Sequence, residues 1–318
     1  MARSGSDKAP VVATIGMATV DYLYVLEEHP SADSVTRALE HQVVVGGVAG
    51  RGAVAARRLG GATRLLATCG SDIHAAVLKS GLEAEGVDCT WVAYEQPSQH
   101  SAVIVARAEA TRTIIWLPQP MADERAVACL PAFLDGVDVA LLDATDGVLA
   151  SAALDECRRR GVTTVLDTGS GRPWTAGLMD RSDHVIAPEK FVRTLTERPV
   201  ERAVTELWKA SCRKVFAVTQ GPRGGVFATG EQPESVARWD AAPVIAVDSN
   251  GAGDTLHGAY AWALAHGLPI PECVDLAAWA AALKAARLGN AGIPTLEQVE
   301  AARRASGVDR LTSGIAGA

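Results

Sequence analysis

Short runs of β-branched and aliphatic residues alternate along this chain with alanine-rich stretches of helical length, and that alternation most restricts its fold. A strand followed by a crossover helix and then another strand gives parallel pairing, so the pattern predicts a doubly wound α/β sheet. Strands are predicted at Val11 to Ile15, Thr63 to Ala67, Val137 to Leu142, Thr163 to Asp167, His184 to Ile186 and Lys214 to Thr219. Helices are predicted at Gly52 to Leu59, His74 to Glu85, Ser151 to Arg160, Val200 to Ser211 and Asp254 to Ala265, each bounded by Gly, Pro, Ser or Asp. Two stretches break the rhythm, about residues 22–45 and 92–117, where strand-like alternation has no intervening helix. Each reads as a hairpin, and hairpins inserted into such a unit form a small separate sheet that can cover the strand ends as a lid. With 318 residues and 48% hydrophobic composition, the whole chain is expected to form a single domain carrying these two insertions.

Charge and cysteine usage narrow the partners. Lys and Arg total 30 against 37 Asp and Glu, a formal net charge of -7, so there is no excess of positive charge for a nucleic-acid backbone. No CxxC or HExxH occurs, and Cys69, Cys89, Cys129, Cys157, Cys212 and Cys273 are scattered, which reads as reduced thiols of a cytoplasmic protein. The opening MARSGSDKAP has no apolar signal core, and no stretch supplies the roughly 20 apolar residues that span a bilayer. A cytoplasmic protein without a membrane partner is expected.

The chemistry concentrates between Val247 and Ala259, which read VDSNGAGDTLHGA. Gly251, Ala252 and Gly253 just before a helix let backbone N–H groups point at an anion, and the helix dipole adds partial positive charge. A phosphate whose charge grows during transfer suits that place. Asp254 in the first turn can accept the proton of an attacking hydroxyl. The tetrapeptide GAGD alone would read in preference as a tight turn with a capping carboxylate, worth about 1 kcal/mol.

The longer string decides between them. DSNGAGDTLHGA closely resembles DTxGAGDxFxGA, the C-terminal signature of the ribokinase-like (PfkB) family of sugar and nucleoside kinases, with Ser249 for Thr and Leu256 for Phe. The resemblance extends along the chain. Asp21, after the first strand, matches a family Asp that binds sugar hydroxyls; Gly46 and Gly47 match the glycine pair of the first signature; Thr219 and Gly221 match the VTxG strand end of the nucleotide site, to which Asn250 is also assigned. The resemblance implies a three-layer α/β/α sandwich with a small β-sheet lid, ATP with Mg²⁺ as cofactors, a small-molecule sugar as substrate, and a homodimer formed through the lid. It also implies a monovalent cation, K⁺, near the anion hole, with Asp248 and Ser249 at matching positions.

Three departures qualify the resemblance. The family's NxxE, whose acid helps organise Mg²⁺, is here Pro188-Glu189-Lys190-Phe191, leaving Glu189 as substitute. Where the family has a sugar-contacting Asn after the glycine pair, this chain has Arg51, a cation that needs either a protein carboxylate or an anionic or hydroxyl-rich substrate group. Solvation at the outside of the helix start is its other reading. Ala291-Gly292-Ile293-Pro294 and Ser182-Asp183-His184 are similar to sulfofructose kinases, with ketohexokinase-like enzymes beyond. Yet Asp33-Ser34-Val35, Ile115-Trp116-Leu117 and Asp143-Ala144-Thr145 offer no basic group for a sulfonate, so sulfofructose is not expected.

The first strand leads into GMATVDY rather than GxGxxG, and no GxxxxGK(S/T) occurs, which counts against a dinucleotide oxidoreductase or a P-loop enzyme. The expected function is phosphorylation of a sugar hydroxyl by ATP. A nucleoside kinase, or a sugar-binding regulator that has lost catalysis on the same fold, stays open.

Overall fold

The structure is a computed structural model that describes residues 9–108, 111–118, 120–210, 214–230, 236–307 and 311–312. Cys212 lies outside these. The chain opens with β1 (Val11–Ile15), crosses to β2 (Thr19–Leu26), returns along β3 (Glu40–Gly46) and enters α1 (Val48–Arg58). Next come β4 (Ala62–Cys69), α2 (Ile73–Ala84) and β5 (Asp88–Ala93), then a second excursion through β6 (His100–Ala106) and β7 (Thr111–Leu117). The alternation resumes with α3 (Glu124–Phe133), β8 (Val139–Asp143), α4 (Gly147–Arg160), β9 (Thr163–Asp167), α5 (Thr175–Met179), β10 (His184–Pro188), α6 (Glu189–Thr196) and α7 (Val200–Lys209). Strands β11 (Val215–Thr219), β12 (Gly225–Thr229) and β13 (Ala237–Trp239) precede α8 (Ala252–Ala265), α9 (Ile270–Ala285), α10 (Leu296–Ser306) and β14 (Leu311–Thr312).

Ten strands make one sheet in the order β14-β13-β12-β11-β10-β9-β8-β1-β4-β5. From β5 to β11 every neighbouring pair is parallel, which buries both faces and explains why these strands read as continuous apolar runs. One face packs against α3 to α7 through Leu130, Leu154, Val192 and Val204. The other packs against α8 and α9 through Tyr260, Leu276 and Trp279, and against α1 and α2 through Val54 and Leu78. Three layers result, as expected. The chain leaves β1 toward β4 and β5 on one side, then resumes at β8 on the other. That reversal opens a crevice outside the carboxyl ends of β1 and β8, where sheets of this kind bind ligands.

The two excursions differ from expectation in extent. The first spans Thr19 to Gly46, and the second begins at His100, because Val92 pairs with Thr68 and belongs to β5 in the large sheet. Each is an antiparallel hairpin, as expected, and the two join in one small sheet: β2 pairs in parallel with β6, giving the order β3-β2-β6-β7. Among the described residues no helix is long and apolar enough to cross a membrane.

Candidate active site

Two close approaches build the site. Gly52 of α1 and Gly258 of α8 face each other so tightly that a Cβ on Gly258 would lie 2.2 Å from the Gly52 carbonyl oxygen. This crossing delivers the start of α1 beside the start of α8. At the other contact Gly47, at φ +83°, brings the backbone against the Met17 carbonyl, where a Cβ would sit 2.4 Å away. Only glycine tolerates that conformation and that proximity. Gly46 leaves its space to the Asp21 carboxylate, which a Cβ would meet at 2.4 Å.

Helix α8 starts after Gly251, which is left-handed at φ +79°, and no side chain caps it. The Ala252 amide donates to the Ser249 carbonyl at 3.3 Å, and no side chain takes the amides that follow, which leaves them to an anion. A Cβ on Gly253 would point into open space, so the glycine leaves the mouth of the helix clear. Asp254 sits in that first turn.

Arg51 joins the candidate base to the candidate sugar-binding acid. Its Nη2 donates to Asp21 Oδ2 at 2.6 Å, its Nη1 to Asp254 Oδ2 at 3.3 Å and its Nε to Asn290 Oδ1 at 3.2 Å. The guanidinium is 3% exposed. Burial opposes its charge, but Asp21 and Asp254 outweigh that cost, and its pKa is raised. Solvation at the helix surface is thus ruled out, and the anionic partner is supplied by the protein. One cation between two carboxylates leaves this pocket no surplus positive charge, which removes the argument for an acidic sugar. Asp21 Oδ1 also accepts from Ser101 Oγ at 2.7 Å, and Oδ2 from Asn250 Nδ2 at 3.5 Å. A carboxylate has about four lone-pair sites, so one remains for a ligand hydroxyl.

Asn250, expected at the nucleotide, turns its side chain to Asp21 and is not among the residues lining the apolar cavity beyond it. On the far side of the α8 start lies a 530 Å³ cavity lined by Thr219, Gly221, Ala252, Gly253 and the alanine-rich face of α9. Its size suits a nucleoside and its walls are mostly apolar.

The candidate metal ligands have other partners. Glu189 is held by Arg193 at 2.8 Å, by Gln220 and by Arg223, and although burial opposes it, these partners keep its carboxyl below the usual range. It does not fit the role of organising Mg²⁺. Asp248 Oδ2 is paired with Lys284 Nζ at 2.7 Å, and Ser249 Oγ accepts from Arg112 Nη1 at 2.5 Å. Burial pulls the Lys284 pKa down against the pull of Asp248. Asp143, at the end of β8, accepts from the Met17 and Thr145 amides and is pushed up to about 6, chiefly by burial. It fixes the turn after β1.

Sequence reasoning missed Ser101, Arg112, Lys284 and Asn290. Lys284 alone carried a signal, being the one basic residue of an otherwise apolar helix face.

Residues 10–296 match the profile described as pfkB family carbohydrate kinase. A ribokinase of Bacillus subtilis is 25% identical over 296 residues, covering 91% of this chain and 98% of that protein. A solved Agrobacterium tumefaciens protein, described as a candidate ribokinase, superposes with a TM-score of 0.88 at 27% identity, over 95% of this chain and all of that one. An Arabidopsis thaliana ribokinase, solved with ribose and ATP, gives a TM-score of 0.77 at 22% identity, over 93% of this chain and 99% of that one. The profile runs from β1 to the first residue of α10, taking in both sheets and both sides of the crevice, and the chain belongs to the pfkB family of carbohydrate kinases.

Proposed function

We propose that this carbohydrate kinase phosphorylates a neutral, hydroxyl-rich sugar, with Asp254 as base and the start of α8 as the anion hole. The observation that carries this reading is the Asp21–Arg51–Asp254 chain, which fixes the acid that would receive the sugar relative to the acid that would receive its proton. The acceptor hydroxyl gives its proton to Asp254 while its oxygen bonds to the γ-phosphorus, and the bond to the β,γ-bridging oxygen breaks to release ADP. Gly251, Ala252 and Gly253 receive the charge that accumulates on the transferred group. Thr219 and Gly221 lie at the nucleoside. Trp116 shares a strand-to-strand row with Asp21 and Ser101, so its ring lies on the cleft face, where it can pack against a sugar's C–H surface. The four-stranded sheet thereby serves as the lid.

Mg²⁺ on the ATP phosphates would neutralise them and align the γ-phosphate. Among the described residues there is no cluster of His, Cys, Asp or Glu that could cage a metal, which fits an ion carried mainly by the nucleotide. The outer face of the lid exposes Tyr24, Val43, Ile115 and Leu117, and β7 is an edge strand; a second copy of the chain is the occupant we assign to it. A cytoplasmic location suits an ATP-consuming enzyme whose Cys69, Cys157 and Cys273 are buried free thiols.

ADP release measured against a panel of neutral pentoses and hexoses, sugar acids and nucleosides tests the substrate class. Neutral sugars should give the highest kcat/KM. A sugar acid or nucleoside as best acceptor would contradict it.

A further inference from the structure

Lys284 has a position that neither the family signature nor the kinase reaction explains. It is wholly buried near the end of α9, and its Nζ donates both to Asp248 Oδ2 at 2.7 Å and to the Asp248 carbonyl at 2.9 Å. The rest of that carboxylate is also engaged. Gly289 N–H donates to Oδ2 at 3.0 Å and Asn250 N–H to Oδ1 at 2.9 Å. The backbone adds a further tie, since the Val247 and Asp248 amides both donate to the Ala285 carbonyl. Ser249, the other residue at the position of a monovalent-cation ligand, faces the Arg112 guanidinium.

A potassium ion needs several oxygens converging on it with lone pairs to spare. Here an ammonium and two amides take three of the roughly four lone-pair sites of the Asp248 carboxylate, too few are left to coordinate an ion, and two protein cations already stand at the loop. A third positive charge would be repelled. An ammonium nitrogen, on the other hand, meets its oxygen partners at about the distance a potassium ion does. It carries the same charge and binds the carboxylate and the carbonyl together, as a chelated ion would.

We propose that the Lys284 ammonium does the work of an exchangeable monovalent cation, so that this kinase is independent of potassium. Lys284 is a positioning residue. It neutralises Asp248, Asp248 Oδ1 holds the Asn250 amide, and Asn250 leads directly into Gly251 and the anion hole. A charge tethered on α9 thus keeps the phosphate-facing turn formed whatever salt surrounds the protein. The inference rests on the anion-hole assignment, but its readout is separate, because the response to cations reports on Lys284 whether or not Asp254 is the base.

The test compares the parent enzyme in potassium, sodium and tetramethylammonium chloride at equal ionic strength, with ATP supplied as its tetramethylammonium salt. The proposal expects the same kcat, the same KM for ATP and the same melting temperature in all three. Potassium activating the parent severalfold over tetramethylammonium overturns it. Lys284→Met should lose turnover and bind ATP more weakly in tetramethylammonium, and potassium or ammonium should restore both and raise its melting temperature. A folded Lys284→Met that no cation restores also overturns the proposal. If that variant folds only in potassium the proposal is supported, and if it folds in no salt the parent comparison decides.

Discussion

Arg51 carries a large electrostatic stake for a single residue. Its guanidinium faces two carboxylates in a closed pocket, and removing it leaves both uncompensated. Breaking such a pair from one side costs about 3 to 5 kcal/mol. Arg51→Ala should therefore lower unfolding stability in urea by that amount, and Arg51→Lys should recover only part, because an ammonium cannot fork between Asp21, Asp254 and Asn290. A loss below about 1 kcal/mol would mean the three contacts do not form in solution. The glycine pair made the neighbourhood of Arg51 legible in the sequence. Its partners were not legible, because Asp254 and Asn290 lie 203 and 239 positions further along the chain, and no local pattern links them.

Elements were readable in proportion to how local their signals are. Strands β1 and β9 span the residues that their β-branched runs predict, since a strand buried on both faces needs no partner-dependent pattern. Helix α9 gave no helical stripe, because it is apolar on nearly every side and is buried accordingly. The joining of β2 to β6 is a long-range pairing with no trace in either hairpin. The crossing of α1 and α8 depends on two glycines that look alike in sequence to Gly253 but differ in surroundings, and this separates two variants. Gly258→Ala would force the helices apart against the Gly52 backbone, at an overpacking cost of about 1 to 3 kcal/mol, and would lower melting temperature and turnover together. Gly253→Ala meets open space, so melting temperature should hold or rise while the methyl group obstructs the anion hole and turnover falls. Thermal melting beside steady-state kinetics reads both, and the opposite pattern would contradict the packing described here.

At the scale of the whole molecule, the reversal of strand order at β1 sets the crevice, the four-stranded sheet brings Asp21 and Ser101 to one side of it, and α8 and α9 line the apolar cavity on the other. If the bare outer face of the lid holds a second copy, light scattering should give the parent a dimer mass, and Ile115→Lys, at a residue 63% exposed, should shift it to monomer without loss of fold. A parent that is monomeric at every concentration would remove the dimer. The central claim is that this assembly exists to present a hydroxyl to Asp254 in front of an anion hole. Asp254→Asn keeps the size of the side chain and an oxygen for Arg51, but it removes the base. Turnover with the best acceptor should fall by roughly 10²-fold or more while affinity for a non-hydrolysable ATP analogue is unchanged, whereas turnover equal to the parent's would contradict the account.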